Sequence, residues 1–497
     1  MIELGDHGLT REEYDRIVAG EPVSLDSEAL AELQETRAQM LAHVATGVPA
    51  YGVTRGLGHL AGVAVSTDDQ AELQASLLTA RAAGFGKPLP ADVVRGAMLV
   101  RLAGFLHGPA GVTPTLCQVI ADRLNGGWTP LVPSGPYGAA GEIGPLAHLF
   151  QTLTGEGAVL VDGVEHPAAE ALVYAGVEPY KPQPKEGIAL INGSPFATAL
   201  GISLAERAHR LVGATTTAAA LGLALTRSGA RAFSPRVGAL TGDAFALQVQ
   251  VRLAALLGGA DVWGDRAQPP VSARVVPQVH GAALRTLAAL DALLDSRLRG
   301  TTDSPLYLHA DGGEDTGFYP SGAFHAIDVV IGLESLADAG CHVLNLLEKR
   351  LHRLLDARFS GLPDQLTMRP GVQAGVVALH KTVAGLAAEA RALAVPASHA
   401  AIDTSSGQED VQTFTFLVAE RVGRLLETLE EALACELVAL RQAAHLADDR
   451  IEGGELGDVV QRLAGAIEPV ELDRSLSEDV ARARALLVGG AIPGWGL

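Results

Sequence analysis

Aromatic residues make up only 4% of this 497-residue chain. Its apolar content of 48% is still ample for a sizeable core, in one large domain or several. Cysteine is almost absent. Cys117, Cys341 and Cys435 lie far apart and show no metal-ligand spacing. An odd, sparse count fits a reducing compartment, so a cytoplasmic protein is expected. Basic residues are outnumbered, 37 against 57 acidic, for a net charge of −20. Phosphate binding needs a basic surface, so nucleic acid is not an expected partner. The N-terminal Met-Ile-Glu-Leu-Gly-Asp has neither the basic region nor the apolar core of a signal peptide. The most apolar run, 212–225, is broken by three threonines and is too short to span a bilayer, so no membrane partner is expected. No internal repeat, phosphate-binding loop or metal constellation stands out. His148 and His325 are solitary and read as structural. Neither a metal nor a separate cofactor is expected.

What is present is glycine, and it is concentrated where function is expected. Residues 134–148 read Ser-Gly-Pro-Tyr-Gly-Ala-Ala-Gly-Glu-Ile-Gly-Pro-Leu-Ala-His. Gly135, Gly138 and Gly141 sit three apart, and Pro145 suits the first turn of a following helix. This is the pattern of a crowded loop delivering backbone amides to a helix start, which favours negative charge. The stretch resembles the signature of the histidine and phenylalanine ammonia-lyase family, Gly-Ser-x-Gly-Ala-Ser-Gly-Asp-Leu-x-Pro-Leu-Ala-His. In that family Ala-Ser-Gly cyclises and dehydrates to a methylidene-imidazolone electrophile. The matching residues here are Ala139-Ala140-Gly141. Alanine has no hydroxyl to lose, so the resemblance implies that the methylidene cannot form at this position.

Further blocks follow in the family's order. Tyr51-Gly-Val-Thr-Arg-Gly-Leu-Gly58 reads as a glycine-rich loop. It resembles the family's Tyr-Gly-Val-Asn-Thr-Gly-Phe-Gly, which implies an active-site role for Tyr51 and puts Arg55 near the pocket. A helix over 71–83 is predicted, and its end resembles the segment whose histidine helps to choose the substrate side chain. That position is Arg81 here. An arginine prefers carboxylate, phosphate or sulfonate partners. Residues 158–167 form a hairpin pattern around Asp162-Gly163. Ala189-Leu-Ile-Asn192-Gly resembles a block whose asparagine lines the site. Gln268 and Arg274 fall in a segment like Gln-Asp-x-Tyr-Ser-Leu-Arg-x-x-Pro-Gln, which implies a pocket glutamine and a carboxylate-binding arginine. The family's lid tyrosine falls on Val271. Ser-Gly-Ala-Phe324-His325 resembles a pocket segment, which makes Phe324 a substrate-binding position. Gln408-Glu409-Asp410 resembles Gln-Glu-Asp-His, which places Glu409 against the reaction centre, with Val411 in place of the histidine.

Apolar periodicity predicts helices over 25–44, 93–106, 114–124, 197–226, 237–257, 322–354, 371–395 and 409–446, with short peripheral helices over 455–490. Glu409 and Asp410 would then stand in a first helical turn, where the dipole favours acids. The resemblance spans 51–440 and implies a mostly α fold. A small mixed N-terminal part (1–195) would carry the glycine-rich loop, a long-helix bundle and oligomer core would follow (196–450), and peripheral helices (451–497) would end the chain. It also implies a homotetramer whose active sites each draw on three subunits. Three functions are compatible. The first is an enzyme acting on a small carboxylate-bearing, amino-acid-like substrate without the prosthetic group, as ergothionases do, with Tyr51 or Glu409 moving a proton. The second is an aromatic amino acid ammonia-lyase inactivated by Ala140. The third is a non-catalytic scaffold.

Overall fold

Small side chains let helices approach closely, and the longest helices here are rich in them. A computed structural model describes residues 1–228, 230–258, 268–310, 315–447, 451 and 453–495. The main helices are α1 (Gln70–Thr79), α2 (Ala91–Leu106), α3 (Ile143–Phe150), α4 (Glu186–Ile191), α5 (Pro195–Leu225), α6 (Ala244–Leu257), α7 (Val276–Leu298), α8 (Ile327–Leu354), α9 (Val377–Leu393) and α10 (Thr415–Leu446). Two short helices, α11 (Gly454–Ala466) and α12 (Ser477–Val488), follow as expected for 455–490. The protein is mostly α.

The strands are few and short. β1 (Ile2–Leu4) pairs in parallel with β2 (Val23–Leu25). β3 (Thr129–Pro130), β4 (Ala158–Val161) and β5 (Val164–Pro167) form an antiparallel sheet in that order. Asp162 and Gly163 turn between β4 and β5 with φ of 51° and 77°, the left-handed pair that a tight hairpin needs. β6 (Leu306–Leu308) and β7 (Gly317–Tyr319) pair antiparallel in a third sheet.

The chain packs as two compact units. One comprises residues 1–203, 290–331 and 397–419, the other 204–289, 332–396 and 420–497. Each draws on separate stretches, so neither coincides with the contiguous segments 1–195, 196–450 and 451–497.

Several expected helices are corrected. The stretch 237–257 is broken after Ala239; Gly242 takes φ of 71°, and the Asp243 carboxylate restarts the helix by accepting from the amides of Phe245 and Ala246 at 3.1 Å each. The helix expected from 409 begins only at Thr415. Ser405 and Ser406 are left-handed, at φ of 50° and 55°, and Phe414 is too, at 51°. A left-handed residue cannot continue an α-helix, so Glu409 lies in a loop rather than a first helical turn. The stretch 186–225 is also longer than the apolar run at 212–225 suggests. By length and composition it could cross a membrane, but 83% of its most apolar window is buried inside the protein.

In the first unit, three charges are buried together. Asp303 accepts from Lys185 Nζ at 2.8 Å and from Arg101 on α2 at 3.2 Å, and all three side chains are at most 2% exposed. In the second unit, His280 of α7 is fully buried and lies 2.7 Å from Thr216 Oγ1 on α5. Burial, helped by Arg350, holds the His280 imidazole well below its ordinary pKa.

Two outcomes follow from these buried groups. Asp303→Asn would leave two buried cations without a counter-charge and is expected to cost about 3–5 kcal/mol, read as a lower denaturant midpoint. His280 stays neutral in the folded protein but protonates when unfolded, so its contribution is present above about pH 6.5 and is lost as pH falls below that value. Wild type should lose up to about 1.4 kcal/mol per pH unit more than His280→Gln on acidification, measured by unfolding at pH 7.5 and 5.

Candidate functional site

The glycine-rich loop is built by close backbone approaches. A Cβ on Gly135 would fall 2.2 Å from the Phe85 carbonyl oxygen, and one on Gly141 would fall 3.3 Å from the Phe324 ring. Between them Tyr137 turns inwards. Its hydroxyl donates to the Pro133 carbonyl at 2.9 Å, and its ring meets Phe416 edge-on with centroids 5.0 Å apart. Burial pushes the Tyr137 phenol up to about 12. Glu142 ends the loop. Its carboxylate accepts from the amides of Phe196 and Ala197 at 2.7 and 2.6 Å, capping the start of α5. Burial raises the Glu142 carboxyl to about 8, against the pull of those two amides, Arg297 and Arg101.

The amide of Ala140 donates to Glu409 Oε2 at 3.1 Å. Ser405 Oγ donates to the other oxygen, Oε1, at 3.0 Å. The expected reaction-centre carboxylate is thus held directly on the loop, across 269 residues of sequence. A cavity of about 520 Å³ opens beside it, lined among others by Tyr51, Arg81, Tyr137, Ala139, Ser405 and Glu409. The Tyr51 hydroxyl accepts from the Gly58 amide at 2.9 Å, which leaves its own proton free to donate. The guanidinium of Arg81 has no hydrogen-bond or ion-pair partner among the described residues. Burial lowers its pKa, and only Tyr51 opposes that shift. The site therefore offers an anchored carboxylate, a phenol proton and a half-buried cation lacking an anion.

His148 fixes the backbone three residues beyond Arg81. Its Nε2 accepts from the Gly84 amide at 2.8 Å, which ties the segment after α1 to α3. The structural reading of His148 holds, and its Nε2 is the nitrogen without a proton.

Other expected residues are placed differently. Arg55 donates to the Gly62 carbonyl of its own loop at 3.2 Å and does not line the cavity. Asn192 donates its amide to the Ser304 carbonyl at 2.7 Å and is 9% exposed; its neighbour Ile191 lines the cavity instead. Arg274 donates Nε to the Pro269 carbonyl at 3.1 Å, and with the Gln268 amide turned so that its oxygen accepts, both Nη atoms of Arg274 reach that oxygen, at 3.1 and 2.9 Å. Neither Gln268 nor Arg274 lines the cavity of the single chain. Phe324 packs on Gly141. Sequence reasoning passed over Tyr137 and Ser405. The first stands at an unconstrained position of the motif, and the second belonged to a Ser-Ser-Gly stretch read as opening the last long helix.

The aromatic amino acid lyase family model matches residues 9–485. The chain is 33% identical to a histidine ammonia-lyase of Geobacillus thermodenitrificans, over 99% of this chain and 98% of that protein. It is similar to the structure of a tyrosine aminomutase from Streptomyces globisporus, with a TM-score of 0.91, 26% identity, and coverage of 99% and 97%. An ergothionase from Treponema denticola superimposes with a TM-score of 0.94 over 99% of both chains; at 22% identity that likeness is one of fold alone.

The unpartnered Arg81 yields a direct test. A charge-assisted hydrogen bond contributes about 1.5–3 kcal/mol. Arg81→Ala should therefore weaken binding of the tightest ligand in a panel of small mono- and dicarboxylates by about 10- to 100-fold, measured by calorimetry. Arg55→Ala should leave that affinity unchanged.

Proposed function

This chain belongs to the aromatic amino acid lyase family, and from that premise we propose that it acts on a carboxylate-bearing, amino-acid-like substrate by acid/base elimination, addition or cyclisation without a methylidene-imidazolone group. The observation that carries the proposal is the bond from the Ala140 amide to Glu409 in a cavity that also holds Tyr51 and Arg81. Ala140 has no hydroxyl to eliminate, so the loop does not fit the family's prosthetic group. The position of the lid tyrosine is Val271, which is 61% exposed. Proton transfer and charge stabilisation are what remain.

On this reading the Glu409 carboxylate takes a proton from the substrate carbon, and the Tyr51 phenol delivers one to the leaving group or to the adjacent carbon. Arg81 holds the negative charge that develops, or a second acidic group. Such a site needs a substrate with a better leaving group than ammonia, or with its own electron sink. The α-carboxylate falls to Arg274, aligned by Gln268, from another copy of the chain in a homotetramer. Exposed apolar side chains such as Leu240 (88%) and Ile331 (57%) support burial against further copies. A cytoplasmic location belongs to the same proposal.

A second reading, an ammonia-lyase disabled at position 140, is favoured by the 33% identity to a histidine ammonia-lyase. Two experiments separate them. In the first, the purified chain is screened by thermal shift against aromatic amino acids, their betaines and α,β-unsaturated acids, with mass spectrometry for turnover. Turnover of a betaine or an unsaturated acid by the unaltered chain is the expected result. In the second, Ala140→Ser is prepared. Near-ultraviolet absorbance of the prosthetic group, with ammonia release from histidine, tyrosine or phenylalanine, would establish the second reading instead.

A further inference from the structure

Far along the chain from the glycine-rich loop, α8 and α9 bring three metal-binding side chains together. Glu348 and His352 are four residues apart on α8, so they share one helix face. His380 stands in the first turn of α9. Its Nε2 lies 2.7 Å from Glu348 Oε1. The rings of His352 and His380 stack with centroids 4.5 Å apart and planes at 19°. The donor atoms of all three residues lie within 4.8 Å of one another.

We propose that Glu348, His352 and His380 form a binding site for one divalent transition-metal ion of the zinc type. Two imidazoles and one carboxylate, with an open side, are a donor set that such ions use. Nitrogen donors in that number disfavour magnesium and calcium. The sequence reading expected no metal; it missed this set because the third donor lies 28 residues beyond the second on another helix.

The surroundings support ligation and set its conditions. Glu348 is buried, His380 is half-buried and His352 is exposed, so the group is anchored on one side and open to solvent on the other. Lys349 Nζ lies 2.7 Å from Glu348 Oε2, which leaves Oε1 for the ion. Donors around tetrahedral zinc are separated by roughly 3.3 Å, from bonds of about 2.0–2.1 Å. The three side chains must therefore draw together and the rings must unstack, a movement that exposed His352 is free to make. An imidazole ligates only through a nitrogen that carries no proton, so acid weakens binding. Bound, it cross-links α8 to α9.

The test uses the untagged full-length protein, stripped with chelator and titrated with Co²⁺ as a spectroscopic probe, then with Zn²⁺ as competitor, at pH 7.5 and 5.5. The expected result is one saturable site per chain with visible cobalt bands, displaced by zinc and weaker at the lower pH. Removing a ligand should cost no less than removing a supporting residue, at least about tenfold, in both His380→Ala and His352→Ala. His352 is exposed, so its variant tests the site even if the His380 variant fails to fold. Absence of saturable binding overturns the proposal, as does undiminished binding by a folded His352→Ala protein.

Discussion

The buried ion cluster of Arg101, Asp303 and Lys185 is the constraint on which the first unit, with its glycine-rich loop, depends. Three buried charges must satisfy one another, so three separate stretches of chain are forced to one place. Arg101 also donates to the Asn192 carbonyl, and Asn192 donates to the Ser304 carbonyl beside Asp303. The turn after α4 is thereby clamped to the loop at 301–304. Gly193 follows, and a Cβ there would strike the Arg101 guanidinium at 2.4 Å. The Gly193 carbonyl in turn accepts from the Glu142 amide at 3.3 Å. A line of contacts thus runs from the buried charges to the glycine-rich loop, and from the Ala140 amide to Glu409.

The two acids at the loop illustrate how environment divides similar groups. Glu142 is buried and caps a long helix through two amides, so its work is structural. Glu409 takes one amide and one hydroxyl and faces the cavity. The left-handed Ser405–Ser406 turn is the strained element that brings Glu409 there. Strain of this kind persists where surrounding contacts over-determine it, and the paired bonds to the Glu409 carboxylate are such contacts.

Much of the helical framework was legible because it rests on local rules. The capped helix after Asp26, the buried stretch at 91–106 and the long helix from Pro195 follow apolar periodicity and cap chemistry. The Asp162-Gly163 hairpin follows turn chemistry. The breaks at 240–243 and 405–414 were not legible, since tertiary contacts hold those backbones away from helix. Tyr51, Arg81 and Glu409 do line one cavity, but resemblance rather than periodicity singled them out. Asn192 and Arg55 show the limit of such transfer: a motif places a residue near a site without deciding what its side chain touches. The Glu348–His352–His380 group is invisible to any reading that looks for donors close together in sequence.

One bond described above bears on how such a site can change its chemistry over time. Glu409 is anchored through the main chain of residue 140, and every amino acid except proline offers the same N–H. Selection on the side chain at 140 is therefore uncoupled from selection on the carboxylate's position. A lineage can gain or lose a hydroxyl there while the carboxylate stays in place within an intact scaffold.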